Sequence, residues 1–173
     1  MKKIDCILLQ SFLTMEENMI IGIISDTHGL LRESVISHLE NCDLIIHAGD
    51  IGKIDVIHRL EQISKVIYVK GNCDRATDLS CIPESEILEI LGLKIYITHD
   101  IKKLNLEKEN LNVDLIIYGH SHKREVKEID NILYINPGSV GPRRFKLPIT
   151  MIKLYLFDNN INEENIELIE LID

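Results

Sequence analysis

The chain has 173 residues, of which 45% are hydrophobic and 27% charged, so it suits one folded domain and excludes extensive disorder. Its 28 acidic and 19 basic residues give a formal net charge of −9, so the average surface should repel polyanions and acidic membranes. No apolar run approaches the roughly 18 residues of a membrane span.

Residues 1–18 look superficially like a signal peptide, with two lysines ahead of an apolar patch. Asp5 and Gln10 interrupt that patch and no small-residue cleavage site follows, so we expect an N-terminal extension ahead of a domain over residues 19–173. Translation that begins at Met19 and a peripheral helix are the alternatives for this segment. The four cysteines form no C-x-x-C pair and favour a reducing, cytoplasmic location.

The first half of the chain alternates short apolar runs with amphipathic segments, which predicts a sheet with crossover helices. Its first run, within Ile20–Gly29, leads into Asp26 and His28. Extended geometry would direct both side chains toward one cation, although an Asx turn or a helix cap explains the same Asp-Thr-His triplet. Helices are predicted over Leu30–Asn41 and Ile54–Ile63, and strands over Asp43–Asp50 and Lys65–Val69.

In the second half of the chain, the sequence predicts three hairpins and one further strand. The stretch Arg75–Ser85 has no period and contains Pro83, so we expect a surface loop at the rim of a site. Lys102–Asn110 predicts a short charged helix or loop, and Val113–Tyr118 a strand. The predicted hairpins pair Glu86–Ile90 with Leu93–Thr98, Glu125–Ile129 with Ile132–Ile135, and Thr150–Phe157 with Ile161–Leu171. We expect the last hairpin to close a second sheet.

Polar side chains follow the predicted strand ends. Two carboxylates, one amide and four imidazoles are enough for two cations with about four protein ligands each, if Asp50 bridges them. Nitrogen and oxygen ligation without thiolate favours manganese, iron, zinc or cobalt over calcium or magnesium. The remaining histidines, His38, His47 and His58, are interpreted as structural. The seven candidate ligands are Asp26, His28, Asp50, Asn72, His99, His120 and His122.

Six short motifs occur in one order along the chain. They are DTHG at 26–29, GD at 49–50, GNCD at 71–74, TH at 98–99, GHSH at 119–122 and NPGS at 136–139. In these motifs the chain resembles the calcineurin-like metallophosphoesterases, closest to the small single-domain phosphodiesterases of bacteria and archaea. The resemblance implies an α/β fold of two packed mixed β-sheets flanked by helices, a four-layer α/β/β/α sandwich.

The resemblance also implies a site and a reaction. It implies two divalent metal ions, manganese first, with iron, zinc, cobalt or nickel as alternatives. The implied activity is hydrolysis of small phosphodiesters by attack of a metal-bridging hydroxide. The implied ligands are Asp26, His28, Asp50 and His122 for one metal, and Asp50, Asn72, His99 and His120 for the other. The implied catalytic residues are Asp50, Asn72, Cys73 and Asp74.

Two departures from the family pattern stand out. Cys73 occupies a position where many relatives carry histidine as general acid, and Asp100 follows His99 where relatives commonly have glycine. Cys73 is either an inert filler or a weak proton donor, and a weak donor implies slow turnover unless the leaving group is good. Arg75, Arg143 and Arg144 are candidate contacts to the substrate phosphate, with solvated loops as the alternative.

Three functional hypotheses follow. The leading one is an enzyme acting on a small phosphodiester or nucleotide-like substrate, with no membrane partner and with a homo-oligomer left open. The alternative is a non-catalytic interaction scaffold, as in the small subunit of the retromer coat, which resembles these enzymes. The third is a nuclease, which the net charge of −9 and the lack of a basic stripe disfavour for long nucleic acid.

Overall fold

The computed structural model describes residues 18–75, 78–104, 112–157 and 161–172. These ranges contain two five-stranded mixed sheets and two α-helices. The strands are β1 (Asn18–Ile24), β2 (Leu44–His47), β3 (Lys65–Tyr68), β4 (Ser85–Ile90), β5 (Leu93–Thr98), β6 (Leu115–Ile117), β7 (Glu125–Ile129), β8 (Ile132–Asn136), β9 (Ile149–Phe157) and β10 (Ile166–Leu171). The helices are α1 (Glu33–Leu39) and α2 (Ile54–Glu61), and short 3-10 turns cover Ile101–Lys103 and Glu163–Asn165.

The first sheet has the strand order β10-β9-β1-β2-β3. Strands β1, β2 and β3 are parallel because α1 and α2 form the crossovers between them, as the alternating pattern predicts. The expectation that the C-terminal hairpin closes the second sheet is wrong, since β9 pairs antiparallel with β1 and with β10. The physical reason is that β9 buries both faces: Ile152 and Leu154 pack between the sheets, and Met151 packs under the helices.

The second sheet has the order β4-β5-β6-β8-β7, with β5, β6 and β8 parallel. The two predicted hairpins β4–β5 and β7–β8 are antiparallel at its edges. Both hairpin turns place non-glycine residues at positive φ, with Leu91 at 49° and Asp130 and Asn131 at 51° and 61°. Those values fit the turn conformations that match the twist of a β-hairpin.

The main core lies between the two sheets and is built from β-branched and leucine side chains such as Ile23, Ile46, Ile97 and Ile135. The helices α1 and α2 pack on the outer face of the first sheet and form a second apolar cluster. On the outer face of the second sheet, tyrosines and aliphatic side chains pack with the 3-10 turn at Ile101–Lys103. The helix or loop predicted over Lys102–Asn110 lies largely outside the described residues.

The two sheets direct their strand ends to one edge of the molecule. Asp26, Asp50 and Asn72 follow β1, β2 and β3, while His99 and His120 follow β5 and β6. Ligand sites of α/β sheets lie at such carboxyl ends of parallel strands. Within the described ranges, no helix is long and apolar enough to cross a membrane.

Candidate metal centre

Backbone hydrogen bonds connect the loop after β1 with the loop after β2. The amides of Asp26, His28 and Gly29 donate to the carbonyls of Gly49, Asp50 and Ile51 at 3.0, 2.9 and 2.7 Å. This ladder continues the pairing of the parallel strands beyond their ends. The acidic side chains of the two loops are thereby held beside each other.

Five of the seven candidate ligands adopt left-handed backbone conformations. Asp26, His28, Asp50, His120 and His122 have φ of 56°, 47°, 54°, 70° and 57°. The expectation that Asp26 and His28 converge through extended geometry is therefore wrong, because β1 ends at Ile24 and both residues lie beyond it. Such conformations are uncommon for non-glycine residues, and they cluster at functional sites where the surroundings enforce them.

Two motif glycines leave space for the acidic side chains. A Cβ on Gly71 would lie 2.1 Å from Asp50 Oδ1 and 2.2 Å from the Asp50 backbone nitrogen. A Cβ on Gly119 would lie 2.0 Å from Ser25 Oγ. Backbone approaches this close need glycine. The GN and GH motifs thus bring their loops against the carboxylates.

Asp26 is fully buried and uses its two carboxylate oxygens differently. Its Oδ2 accepts hydrogen bonds from Ser25 Oγ at 2.7 Å and from the His120 amide at 3.1 Å. Its Oδ1 has no hydrogen-bond partner and faces His122 Nε2 at 3.2 Å and His28 Nε2 at 3.8 Å. One oxygen is therefore anchored by the protein, and the other is directed at imidazole nitrogens.

The two carboxylate oxygens of Asp50 also have different partners. Its Oδ1 accepts the Cys73 amide at 2.9 Å, while its Oδ2 lies 3.4 Å from His99 Nε2 and 3.8 Å from His28 Nε2. Burial raises the pKa of Asp50, but the neighbouring His99 ring and the hydrogen bond from the Cys73 amide outweigh burial and hold that pKa below its ordinary value. Asp50 therefore remains a carboxylate at neutral pH.

The tautomer of His99 is fixed by the backbone. Its Nδ1 lies 2.7 Å from the carbonyl oxygen of Ala48 and must donate to it, so in the neutral ring the lone pair is on Nε2. That buried Nε2 has no hydrogen-bond partner and faces the Asp50 carboxylate. Burial lowers the pKa of His99, yet the Asp50 carboxylate 3.4 Å away, to which a protonated ring would donate, and the charge of Asp26 outweigh burial and raise that pKa. The position favours a positive charge.

The four candidate histidines form two ring pairs. His28 and His122 stack at a centroid distance of 5.1 Å, with their Nε2 atoms 3.2 Å apart. His99 and His120 meet edge to face at 5.3 Å. Burial lowers the pKa of His28, and Arg144 and His122 add to this effect against Asp50 and Asp26. His28 is therefore a neutral imidazole at pH 7, the form that binds metals.

Asn72, Cys73 and His120 form the exposed side of the site. Asn72 Nδ2 lies 3.2 Å from His120 Nδ1. The Cys73 thiol donates to Asp74 Oδ1 at 3.3 Å. Burial, together with the charges of Asp50 and Asp74, raises the pKa of Cys73, so the sulfur carries its proton at neutral pH. A protonated thiol is therefore exposed on this side of the site.

Asp74 holds loops together. Its Oδ2 accepts the amides of Ile51 and Gly71 at 3.0 and 2.8 Å, and its Oδ1 accepts the amide of Gly52 at 2.8 Å. A buried carboxylate with three amide donors is strongly positioned. Asp74 therefore connects the Asp50 loop with the loop of Gly71, and its catalytic role stays a prediction.

His47, which was interpreted from the sequence as a structural histidine, lies beside the loops of the candidate site. It is fully buried at the end of β2, where Nδ1 accepts the Gly49 amide at 3.2 Å. Its Nε2 must then carry the proton and donate to Thr27 Oγ1 at 2.9 Å, and Thr27 in turn donates to the Ile51 carbonyl at 2.9 Å. Burial lowers the pKa of His47 to about 4. This neutral imidazole joins the two loops that carry Asp26, His28 and Asp50.

The NPGS motif provides a second support. Asn136 Nδ2 donates to the Gly119 carbonyl at 2.8 Å and to Ser121 Oγ at 3.1 Å. Ser139 Oγ donates to the Asp26 carbonyl at 3.0 Å. Both side chains are buried, and the signal that could have identified them is a polar residue at the end of an apolar strand, with a serine three positions further on.

The three candidate arginines occupy different places. Arg144 Nη2 lies 3.3 Å from His28 Nε2, on the exposed rim of the site. Arg143 and His122 line one small hollow beside that rim. Arg75 lies on the Asn72 side, where it faces Glu84 at 3.7 Å. Arg144 is therefore the arginine placed directly against a candidate ligand.

The donor geometry fits divalent cations. Two ligand atoms that each lie about 2.1 Å from one transition-metal ion stand roughly 3.0–3.5 Å apart. The pairs Asp26–His122, Asp50–His99 and His28–His122 have separations of 3.2, 3.4 and 3.2 Å. Three groups of ligand atoms lie within 4.8 Å of one another: Asp26 with His28 and His122, Asp26 with Asp50 and His99, and His28 with Asp50 and Cys73. Asp26, Asp50 and His28 each belong to two groups, so the three groups adjoin one another.

The chain is similar in sequence and in fold to known proteins. The sequence model of the calcineurin-like phosphoesterase superfamily domain matches residues 19–159. A phosphodiesterase of Methanocaldococcus jannaschii is 38% identical over 137 residues, which cover 68% of this chain and 82% of the relative. The solved structure of a novel archaeal phosphodiesterase is 30% identical, with a TM-score of 0.71 and coverage of 88% of this chain and 100% of that one.

A further solved structure shares the fold. Vacuolar protein sorting 29 from Cryptosporidium parvum matches with a TM-score of 0.71 at 20% identity, covering 90% of this chain and 99% of that one. At that identity the likeness shows the fold alone. The chain belongs to the calcineurin-like phosphoesterase superfamily, and the resemblance seen in its motifs is confirmed.

Proposed function

We propose that residues 19–173 form a catalytic domain that hydrolyses small phosphodiesters with two divalent metal ions, manganese first among the candidates. Asp26, His28, Asp50 and His122 would hold one ion, and Asp50, Asn72, His99 and His120 the other. Bound cations would lower the pKa of a coordinated water and neutralise charge on the phosphoryl group.

One observation carries this proposal. His99 Nε2 and Asp50 Oδ2 face each other at 3.4 Å in a buried setting, and the Ala48 carbonyl keeps the His99 proton on the far side of the ring. A neutral His99 ring and the Asp50 carboxylate would face each other with two lone pairs, so the pair needs a cation between them: a proton in the metal-free protein, and a metal ion in the loaded one. A histidine that donates its other ring N–H to a backbone carbonyl is the usual arrangement of a metal ligand.

The protein residues around the ions have separate tasks in this proposal. One carboxylate oxygen of Asp26 and one of Asp50 accept backbone amides, and these hydrogen bonds fix the direction of the other oxygen. Arg144, on the exposed rim beside His28, would contact a phosphate oxygen as a charged donor. Asp74 positions the loop that carries Asp50 and does not itself meet the substrate.

Cys73 would supply the proton that the leaving oxygen takes up. Its thiol is protonated at neutral pH, lies within 4.8 Å of the ligand atoms of His28 and Asp50, and is exposed to solvent. A thiol is a weak hydrogen-bond donor, so its help should be modest. Diesters with a good leaving group should therefore be hydrolysed fastest.

The test is hydrolysis of bis-p-nitrophenyl phosphate by metal-free protein reconstituted with manganese. We expect release of p-nitrophenolate that a chelator stops, and a loss of at least about a hundredfold in kcat in His99→Gln. His58→Gln is the matched control because His58 is exposed on α2, and it should retain the rate. Folded protein that is inactive with manganese, iron, zinc, cobalt and nickel would refute the proposal.

A non-catalytic interaction scaffold is the alternative on the same fold. The similarity to vacuolar protein sorting 29 shows the fold and carries no activity. A scaffold has no physical need for five ligand residues in left-handed conformations around two buried carboxylates. Folded protein that binds no metal would favour the scaffold.

A further inference from the structure

A cleft of about 220 Å³ opens directly beside the candidate metal centre. Asn72 and His99 line both the cleft and the centre, so the cleft is within reach of a substituent on a phosphate that lies at the centre. The volume is below the roughly 300 Å³ at which sites for whole small ligands begin. The cleft therefore suits one arm of a small substrate.

The charge of this cleft contrasts with that of the protein. Lys70, Arg75 and Lys103 line it together with Glu84 and Asp100, which gives three cations against two anions and a local charge of 3 − 2 = +1. The whole chain carries −9. A local excess of positive charge on an acidic protein concentrates anions at that place.

The two acidic side chains of the cleft do not neutralise its cations strongly. Asp100 accepts the backbone amide of Lys102 at 3.1 Å and so caps the 3-10 turn. Glu84 faces Arg75 at 3.7 Å, with both side chains more than half exposed, and such a pair contributes little. Lys70 Nζ donates to a neutral partner, the Ser80 carbonyl, at 3.0 Å. The cations remain able to attract a ligand charge.

Tyr96 and Leu104 add apolar surface to the mainly polar lining of the cleft. Tyr96 is held in place, since it is buried and packs in the outer cluster of the second sheet. An arm that lies in the cleft would thus meet both apolar surface and cations.

We propose that this cleft, here called the cationic cleft, binds one arm of the phosphodiester and that this arm carries a second phosphate group. The inference rests on the proposed function, because it names the substrate class of the same site. Phosphorylated nucleosides or sugars, with an uncharged ring and a second phosphate, have this chemistry.

The experiment compares the binding of thymidine 3′,5′-bisphosphate and thymidine 5′-monophosphate to the manganese-loaded protein by calorimetry. We expect the bisphosphate to bind about tenfold more tightly at low salt, as several exposed charge pairs of modest strength would produce, and the ratio to fall as salt rises. In the double variant Lys70→Gln/Lys103→Gln, the ratio of the affinity for the bisphosphate to that for the monophosphate should fall to about twofold or less. Thermal melting of this variant shows that it is folded, and Lys103→Gln alone should give an intermediate ratio.

Lys65→Gln is the matched control, because Lys65 begins the same strand that Lys70 follows and is exposed at its opposite end. It should keep the ratio of the unmodified protein. Nearly equal affinities for the two nucleotides in the unmodified protein would overturn the cationic cleft, and so would an affinity ratio in Lys70→Gln/Lys103→Gln equal to that in Lys65→Gln. Hydrolysis of bis-p-nitrophenyl phosphate would still leave the proposed function standing in either case. If that hydrolysis fails but the ratio depends on Lys70 and Lys103, the cleft stands as a phosphate site and the phosphodiesterase proposal falls.

Discussion

Replacement of His47 by glutamine should make the stability of the metal-free protein less sensitive to acid. His47 is fully buried as a neutral ring, and burial lowers its pKa to about 4 from an ordinary value of 6.5. The unfolded chain therefore binds a proton at His47 more readily than the folded chain does. The resulting stability is present above pH 6.5 and is lost as pH falls toward 4.

The size of this effect follows from the two pKa values. Between pH 7.5 and pH 5 the linkage relation gives a loss of about 2 kcal/mol in the free energy of unfolding from this one histidine. Urea unfolding of both proteins with chelator present measures it, and other acidic groups cancel in the difference between the two proteins. Glutamine keeps a donor for Thr27, so the folded structure should survive. An equal loss of stability in both proteins would refute the assignment of a buried neutral His47.

Three further substitutions test other parts of the site. Asp74→Asn should cost about 2–4 kcal/mol of stability in urea unfolding, because one oxygen that accepts a backbone amide becomes a donor; an unchanged midpoint would contradict the loop-holding role. Gly71→Ala should lower thermal stability by about 3 kcal/mol or more and abolish metal binding, because its Cβ would overlap the Asp50 side chain and amide; full metal content would contradict that packing. Cys73→Ala should slow hydrolysis of an alkyl phosphodiester about tenfold and that of a p-nitrophenyl ester by less than about threefold, and equal effects on the two would exclude Cys73 as the proton donor.

The positions of the candidate ligands were predictable because each follows a short apolar run, and such runs become strands with a shared carboxyl edge. The seven residues are connected by contacts at that edge, and their role as metal ligands stays a prediction. The conformation that brings them together was not predictable, since left-handed residues such as Asp26 and His28 are selected by the neighbouring loops and not by their own preference.

Strand partners and internal supports were harder to predict. The C-terminal hairpin joined the first sheet because β9 buries both of its faces, a property that a run of apolar residues does not reveal without knowing which surfaces remain open. His47 looked like any histidine within a strand. Its distinguishing feature, a polar ring just before the GD motif in an otherwise apolar run, has meaning only once Thr27 is known to lie beside it.

Metal stoichiometry tests the central claim most directly. Protein equilibrated with manganese and freed of excess ion should contain about two metal ions per chain by elemental analysis. Asp50→Asn should contain about one or fewer, because it removes the shared charge, while Asp55→Asn, at an exposed position on α2, should retain about two. A folded, unmodified protein that holds one ion or none would contradict a dinuclear centre built from the strand ends of both sheets.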